Sequence, residues 1–301
     1  MYHHRVLPAL FLIRPIASNS PMKKLVFSAA LFLSLISFAQ AQITTPAASP
    51  AATVAQTVGL AKVTVDYSRP ALKGRKMFGD QVPYGKVWRT GANMITKLTV
   101  SDEVMVNNQK LPAGSYGIYT IPNANEWTII LNKDANAFGA FNYKPENDVM
   151  RFTVKPERLT SPVEYFTIAF TDFSPTTANL ALQWETTRVT IPVKHDPDAR
   201  IMAQIQEQTA KPEAGTGIYF AAADYYYQTN RDMKQALAWA NKVVDKDKQY
   251  WTYYLRAKIA AKMGDCKAAR TDAQQGLELA QKAGDDAYIK NHQKILADCK
   301  M

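Results

Sequence analysis

The residues of this chain best suited to holding a ligand are Arg75, Trp88, Arg89 and Asn93, which fall in two neighbouring loops. Arg75 and Arg89 could each fork onto a carboxylate or phosphate through two parallel hydrogen bonds. Trp88 could stack on a planar group, and Asn93 could add a directed amide. That chemistry is recognition of a small anionic or sugar-like ligand. The same residues admit a structural alternative. In it Trp88 plugs the end of a β-sandwich, while Arg89 and Asn93 tie down backbone carbonyls of a long loop. The alternative is favoured, because loops of this length need internal polar ties.

Other chemistry is sparse. Cys266 and Cys299 are the only cysteines. One opens a predicted helix and the other closes the antiparallel helix that follows, so both sulfurs fall at one end of a hairpin. A disulfide there would pin the C-terminus, with two reduced thiols as the alternative. Past the leader only His195 and His292 remain as histidines. Neither has metal-ligand spacing, so no metal site and no cofactor is expected. Asp66, Asp80, Asp102 and Glu103 stand apart at strand ends or turns, and nothing selects a glycosidase pair among them. There is no nucleophile elbow, phosphate loop or dinucleotide fingerprint.

The elements that must position these residues follow from hydrophobic rhythm. Over 57–195 the period is two. Val63, Val65 and Tyr67 alternate with polar neighbours, as do Leu98 and Val100, Trp127, Ile129 and Leu131, Phe166 and Ile168, Leu180, Leu182 and Trp184, and Val189, Ile191 and Val193. Turn chemistry at Asn107-Asn108, Pro112-Ala113-Gly114 and Ser174-Pro175 separates the runs. Eight or more short strands predict an antiparallel β-sandwich or small barrel. Asp134–Phe141 breaks the rhythm and reads as a short helix or loop.

Ser68-Arg69-Pro70, Lys73-Gly74-Arg75, Phe78-Gly79, the run Val82–Asn93, Leu111–Tyr116 and Glu126–Ile130 occur in that order. Together they resemble the family called domain of unknown function 2911. The resemblance covers about 57–195. It implies a β-rich exported domain of the kind common in Bacteroidetes-type bacteria. It implies no activity and lends no functional residues.

Near Pro197 the period changes to 3.6. Asp198 is the expected N-cap of a helix running to about Thr209. Then Phe220, Tyr227, Ala236 and Ala240 recur 33 residues later as Tyr253, Ala260, Ala269 and Ala273. This resembles a pair of tetratricopeptide repeats over about 217–283, with a capping helix from about Asp285 to Cys299. Asn230 in place of a turn glycine, and the missing terminal prolines, depart from that pattern. The fold class is therefore α+β: a β-domain at 57–195, then a helical domain at 197–301. Such repeats usually offer a surface to a protein partner.

The ends of the chain bear on compartment. Lys23 and Lys24, the apolar run Leu25–Phe38 and Ala39-Gln40-Ala41 make an export signal, with cleavage expected after Ala41. Residues 1–21 look like an upstream extension, Met22 rivals Met1 as the start, and 42–56 read as a flexible leader. No second apolar run reaches membrane length, so a soluble periplasmic or secreted protein without a stable span is expected. The net charge is +10, of which Arg5, Arg14, Lys23 and Lys24 contribute four. The remaining excess is scattered, which argues against nucleic acid. The preferred function is an exported, non-catalytic binding or scaffold protein of the envelope. The alternatives are a hydrolase or carbohydrate-active enzyme with a site near Arg75, Arg89 and Asn93, and a purely structural envelope component.

Overall fold

The computed structural model describes residues 45–299. The expected export signal, its cleavage site and the choice of start codon lie outside the described residues.

Among the described residues, ten strands come first. They are β1 (Ala51–Val58), β2 (Ala61–Ser68), β3 (Thr96–Val100), β4 (Val104–Val106), β5 (Gln109–Leu111), β6 (Gly114–Ile121), β7 (Trp127–Asn132), β8 (Asp148–Val154), β9 (Glu157–Thr171) and β10 (Thr177–Lys194). They form two antiparallel sheets, a six-stranded one in the order β1-β2-β3-β6-β7-β8 and a four-stranded one in the order β5-β4-β10-β9. One core joins them: Val63, Val65, Leu98, Ile118, Ile129 and Leu131 come from the first sheet, and Phe166, Ile168, Leu180, Leu182 and Ile191 from the second. Two sheets sharing their inner faces make a sandwich rather than a closed barrel. Asn107 and Asn108 take φ of 46° and 63°, the left-handed pair that a tight two-residue hairpin between β4 and β5 requires.

One expectation for the β-rich part needs correction. The leader was expected to stay flexible to residue 56, but Ala51–Gln56 belong to β1, which pairs with β2 from Ala51↔Ser68 to Val58↔Ala61. Its Ala/Thr-rich composition resembles a linker, yet an edge strand needs only one partner and one half-buried face, and Ala52 and Val54 pack against the core. Of the two readings of Asp134–Phe141, the structure shows the loop. The backbone of this stretch bonds to the neighbouring loop, Ile95 N to Ala137 O at 2.9 Å and Gly139 N to Asn93 O at 3.2 Å. Ala137, Ala140 and Tyr143 thereby cover Ile95, Tyr119 and Ile130 on the outer face of the large sheet.

In β10 the buried residues change parity. Leu180, Leu182 and Trp184 are buried, and so are Val189, Ile191 and Val193. A period of two can bury both sets only if the register slips by one. It slips around Glu185, whose φ is 51°.

Six helices follow: α1 (Asp198–Thr209), α2 (Thr216–Gln228), α3 (Met233–Lys246), α4 (Tyr250–Lys262), α5 (Cys266–Ala283) and α6 (Asp286–Asp298). The small residues picked out by periodicity lie where helices cross: Ala236, Ala240, Ala260, Ala269 and Ala273 are all buried. Small side chains there let the helix axes approach, which is what stacks the hairpins. Asp232, Asp265 and Asp285 cap α3, α5 and α6 by accepting from amides of the first turn. At α1 the cap position is Pro197 rather than Asp198. Asp198 turns away because its carboxylate is held by Tyr225 Oη at 2.6 Å and Arg231 Nη2 at 2.5 Å. Those two bonds keep the Asp198 carboxyl below its usual range, and burial together with the Asp198 contact pushes Tyr225 up to about 12.

The strand-to-helix junction is pinned by His195, which is buried. Its Nδ1 accepts from Leu60 N at 3.1 Å, and its Nε2 lies 3.5 Å from Asp102, which also binds Arg200 of α1 at 2.5 Å. With Nδ1 serving as acceptor, the imidazole ties the β1–β2 turn to the end of β10.

Candidate functional site

The residues expected to bind a ligand lie in one long excursion between β2 and β3, and the structure gives the side chains of Arg75, Trp88 and Asn93, but not that of Arg89, a hydrogen-bond partner among the described residues. The Arg75 guanidinium donates from Nε to Leu72 O at 3.0 Å and from Nη2 to Ala71 O at 2.8 Å. Asn93 donates from Nδ2 to Ser49 O and to Ser68 Oγ, both at 3.3 Å, from a left-handed backbone with φ of 58° that Asn tolerates. Trp88 donates from Nε1 to Gly91 O at 3.2 Å. Its ring stacks on Trp184, with centroids 5.8 Å apart and planes at 13°, and meets Phe166 edge-on at 5.3 Å. Its backbone exchanges two hydrogen bonds with Thr120, which anchors the loop to β6. Arg89 is half-buried, and its Nε finds no partner among the described residues. No hydrogen bond or ion pair joins Arg75, Arg89 and Asn93 to one another or to a carboxylate among the described residues. They are brought into one loop system but not into one constellation.

Glu185 was not singled out from the sequence. At the β10 bulge its carboxylate reaches across to the loop and accepts from Met77 N at 2.5 Å and from Phe78 N at 3.3 Å. Those bonds set Phe78 into the aromatic cluster, 4.8 Å from Trp127. The parity change between Trp184 and Val189 was the available signal. It marked a bulge, and bulges re-aim side chains.

The helical part holds a second group. Lys258 lies over the rings of Tyr227 and Tyr254, 4.6 and 4.9 Å from their centroids, with Asp224 at 3.6 Å. Lys262 lies 4.7 Å from the Tyr227 centroid, and Tyr254 meets Tyr288 edge-on at 5.6 Å. These contacts tie α2, α4 and α6 along one face. On α3–α5, Arg256 grips Asp272 with two bonds of 2.7 Å and reaches Asn241 at 3.2 Å. The groove of about 400 Å³ beside it therefore contains an already neutralised guanidinium. Cys266 and Cys299 form a disulfide, with Cα atoms 5.1 Å apart, joining the start of α5 to the end of α6.

Among the described residues no three His, Cys, Asp or Glu side chains stand together as a metal-sized group. No helix among them is long and apolar enough to cross a membrane. No curated protein and no solved structure matches the chain. Residues 49–193, which span β1 to all but the last residue of β10, match the family described as "Protein of unknown function (DUF2911)".

Proposed function

We propose that the chain is an exported, non-catalytic binding protein whose helical part recruits a protein partner. One observation carries the reading: a band of Tyr227, Tyr254 and Tyr288 with Lys258 and Lys262 runs across three helices that are not neighbours in sequence. Tyrosines are rigid and amphipathic, and they gather at interfaces. Lys258 is paired with Asp224, whereas exposed Lys262, which also donates to Tyr227 O at 3.0 Å, leaves a positive edge that favours an acidic or carboxylate-bearing peptide. The 33-residue recurrence supports a short repeat array as the scaffold for this face. Export is supported by the charged head, short apolar core and small-residue cleavage site at 22–41, and by a cysteine pair suited to an oxidising compartment. The local commitments of Arg75, Trp88 and Asn93 favour a framework role for that loop over a hydrolytic one.

The test is affinity capture from envelope extract with the chain from Gln42 onward, comparing wild type, Lys258→Glu with Lys262→Glu, and Arg89→Ala. A partner retained by Arg89→Ala and lost by the lysine pair supports recruitment through the helices. Retention by all three overturns it. N-terminal sequencing of the exported form checks cleavage after Ala41.

A further inference from the structure

We infer that the β-sandwich carries a binding cleft for a neutral, hydroxyl-rich ring, a saccharide, at the end where the 77–85 loop meets the β10 bulge. The inference is independent of partner recruitment by the helices. The cleft has a volume of about 270 Å³ and is lined by Tyr84, Asn123, Trp127, Arg158, Thr186 and Thr187, with Phe78 beneath. None of Arg75, Trp88, Arg89 or Asn93 lines it.

Three features point to a sugar. The first is a positioned aromatic wall. Tyr84 is 44% exposed, yet its position is constrained. Its ring rests on Gly79, where a Cβ would sit 2.7 Å from the ring edge. Gly79 has φ of +82° and bonds to Val82 O at 3.0 Å, and Gly85 N bonds to Pro122 O at 3.0 Å. Only glycine at 79 permits both the left-handed backbone and the close ring. Beneath it Trp127 and Phe78, buried to 2% and 4% exposure, back the cleft without opening onto it. An exposed tyrosine face suits the C–H face of a pyranose, and a volume of about 270 Å³ suits one ring rather than an extended ligand.

The second feature is a rim of uncommitted polar groups. Among the described residues, the side chains of Tyr84, Asn123, Arg158, Thr186 and Thr187 make no hydrogen bond, unlike the arginine, tryptophan and asparagine of the neighbouring loop. The β10 bulge is what turns two successive threonines towards this end. Hydroxyls and an amide offer both donors and acceptors, as ring hydroxyls demand.

The third is charge. Glu157 stands on the rim beside Arg158 and is itself paired with Arg188 at 3.0 Å. One free guanidinium next to a carboxylate does not favour a strongly anionic ligand.

The test uses saturation-transfer NMR on the chain from Gln42 onward. The probes are glucose, N-acetylglucosamine, cellobiose and, as anions, galacturonate and inorganic phosphate, each at about 10 mM to reach weak affinities. The expected result is transfer to ring protons of at least one neutral sugar. Tyr84→Ala and Asn123→Ala should each weaken it by about tenfold or more, Tyr84→Phe should retain it, and Lys290→Ala, on an exposed side chain of α6, should leave it unchanged. Because Tyr84 and Asn123 are exposed, circular dichroism of each variant should match wild type. Three results would overturn the inference: no neutral sugar binds, only the anions bind, or binding survives both alanine variants.

Discussion

The imidazole of His292 occupies the space that any side chain on Gly276 would need. An ideal Cβ on this glycine of α5 would overlap the ring of the α6 histidine. His292 is fully buried between Tyr254 and Tyr288, and its Nε2 donates to Tyr250 O at 3.0 Å. The approach of α5, α6 and α4 therefore depends on a missing methyl group.

Helix propensity alone says that Gly276→Ala should stabilise α5 by about 1 kcal/mol. The overlap opposes this, and overpacking of a buried site costs about 1–3 kcal/mol. With a Cβ this close to the imidazole the cost falls at the upper end of that range, so packing wins and a net loss of up to about 2 kcal/mol is expected in urea unfolding. In a double-mutant cycle with His292→Ala the two losses should be less than additive. A more stable Gly276→Ala protein would contradict the packing.

His292 also sets a pH dependence. Burial holds it below its ordinary value of 6.5, against smaller upward pulls from the Tyr250 carbonyl bond and the Asp272 charge. Its Nδ1 has no partner among the described residues, so a proton there would be buried without an acceptor. The folded state thus binds this proton less readily than the unfolded state. The associated stability is complete above about pH 6.5 and declines as pH falls below that, levelling off beneath the folded pKa. The urea midpoint should drop between pH 7.5 and pH 5, and His292→Gln should flatten that part of the profile.

Glu185→Ala removes the acceptor for two loop amides at once. Hydrogen bonds to a charged group contribute about 1.5–3 kcal/mol each, and one of these is long, so a loss of about 2–3 kcal/mol is expected. Glu185→Gln keeps one acceptor oxygen and should lose about half as much. The emission of the Trp88–Trp127–Trp184 cluster should shift to the red in the alanine variant, as Phe78 is released. An unchanged midpoint would mean that the bulge does not hold the loop.

Much of the architecture was legible from periodicity because burial acts on every second strand residue and every third or fourth helix residue. The change of rhythm at Pro197 marks where β10 ends and α1 begins, and the small residues of the recurrence mark the helix crossings. Composition misled at Ala51–Gln56, since small polar residues suit both a linker and an edge strand, and only pairing with β2 distinguishes them. Asp198 misled for a related reason. Its sequence neighbours suggest a cap, while Tyr225 and Arg231, distant in sequence, claim the carboxylate.

The order of elements, the buried face of most strands and the approach of the helices can be read from the chain, because each depends on local chemistry repeated at a fixed period. Which polar side chains are committed and which are free emerges only once distant segments meet. Arg75, Trp88 and Asn93 looked available but are already hydrogen-bonded, Asn93 to Ser49 and Ser68 outside its loop, while Tyr84, Asn123, Thr186 and Thr187 looked ordinary and meet at one cleft. That difference rests on contacts between segments far apart in the chain, and no local pattern encodes them.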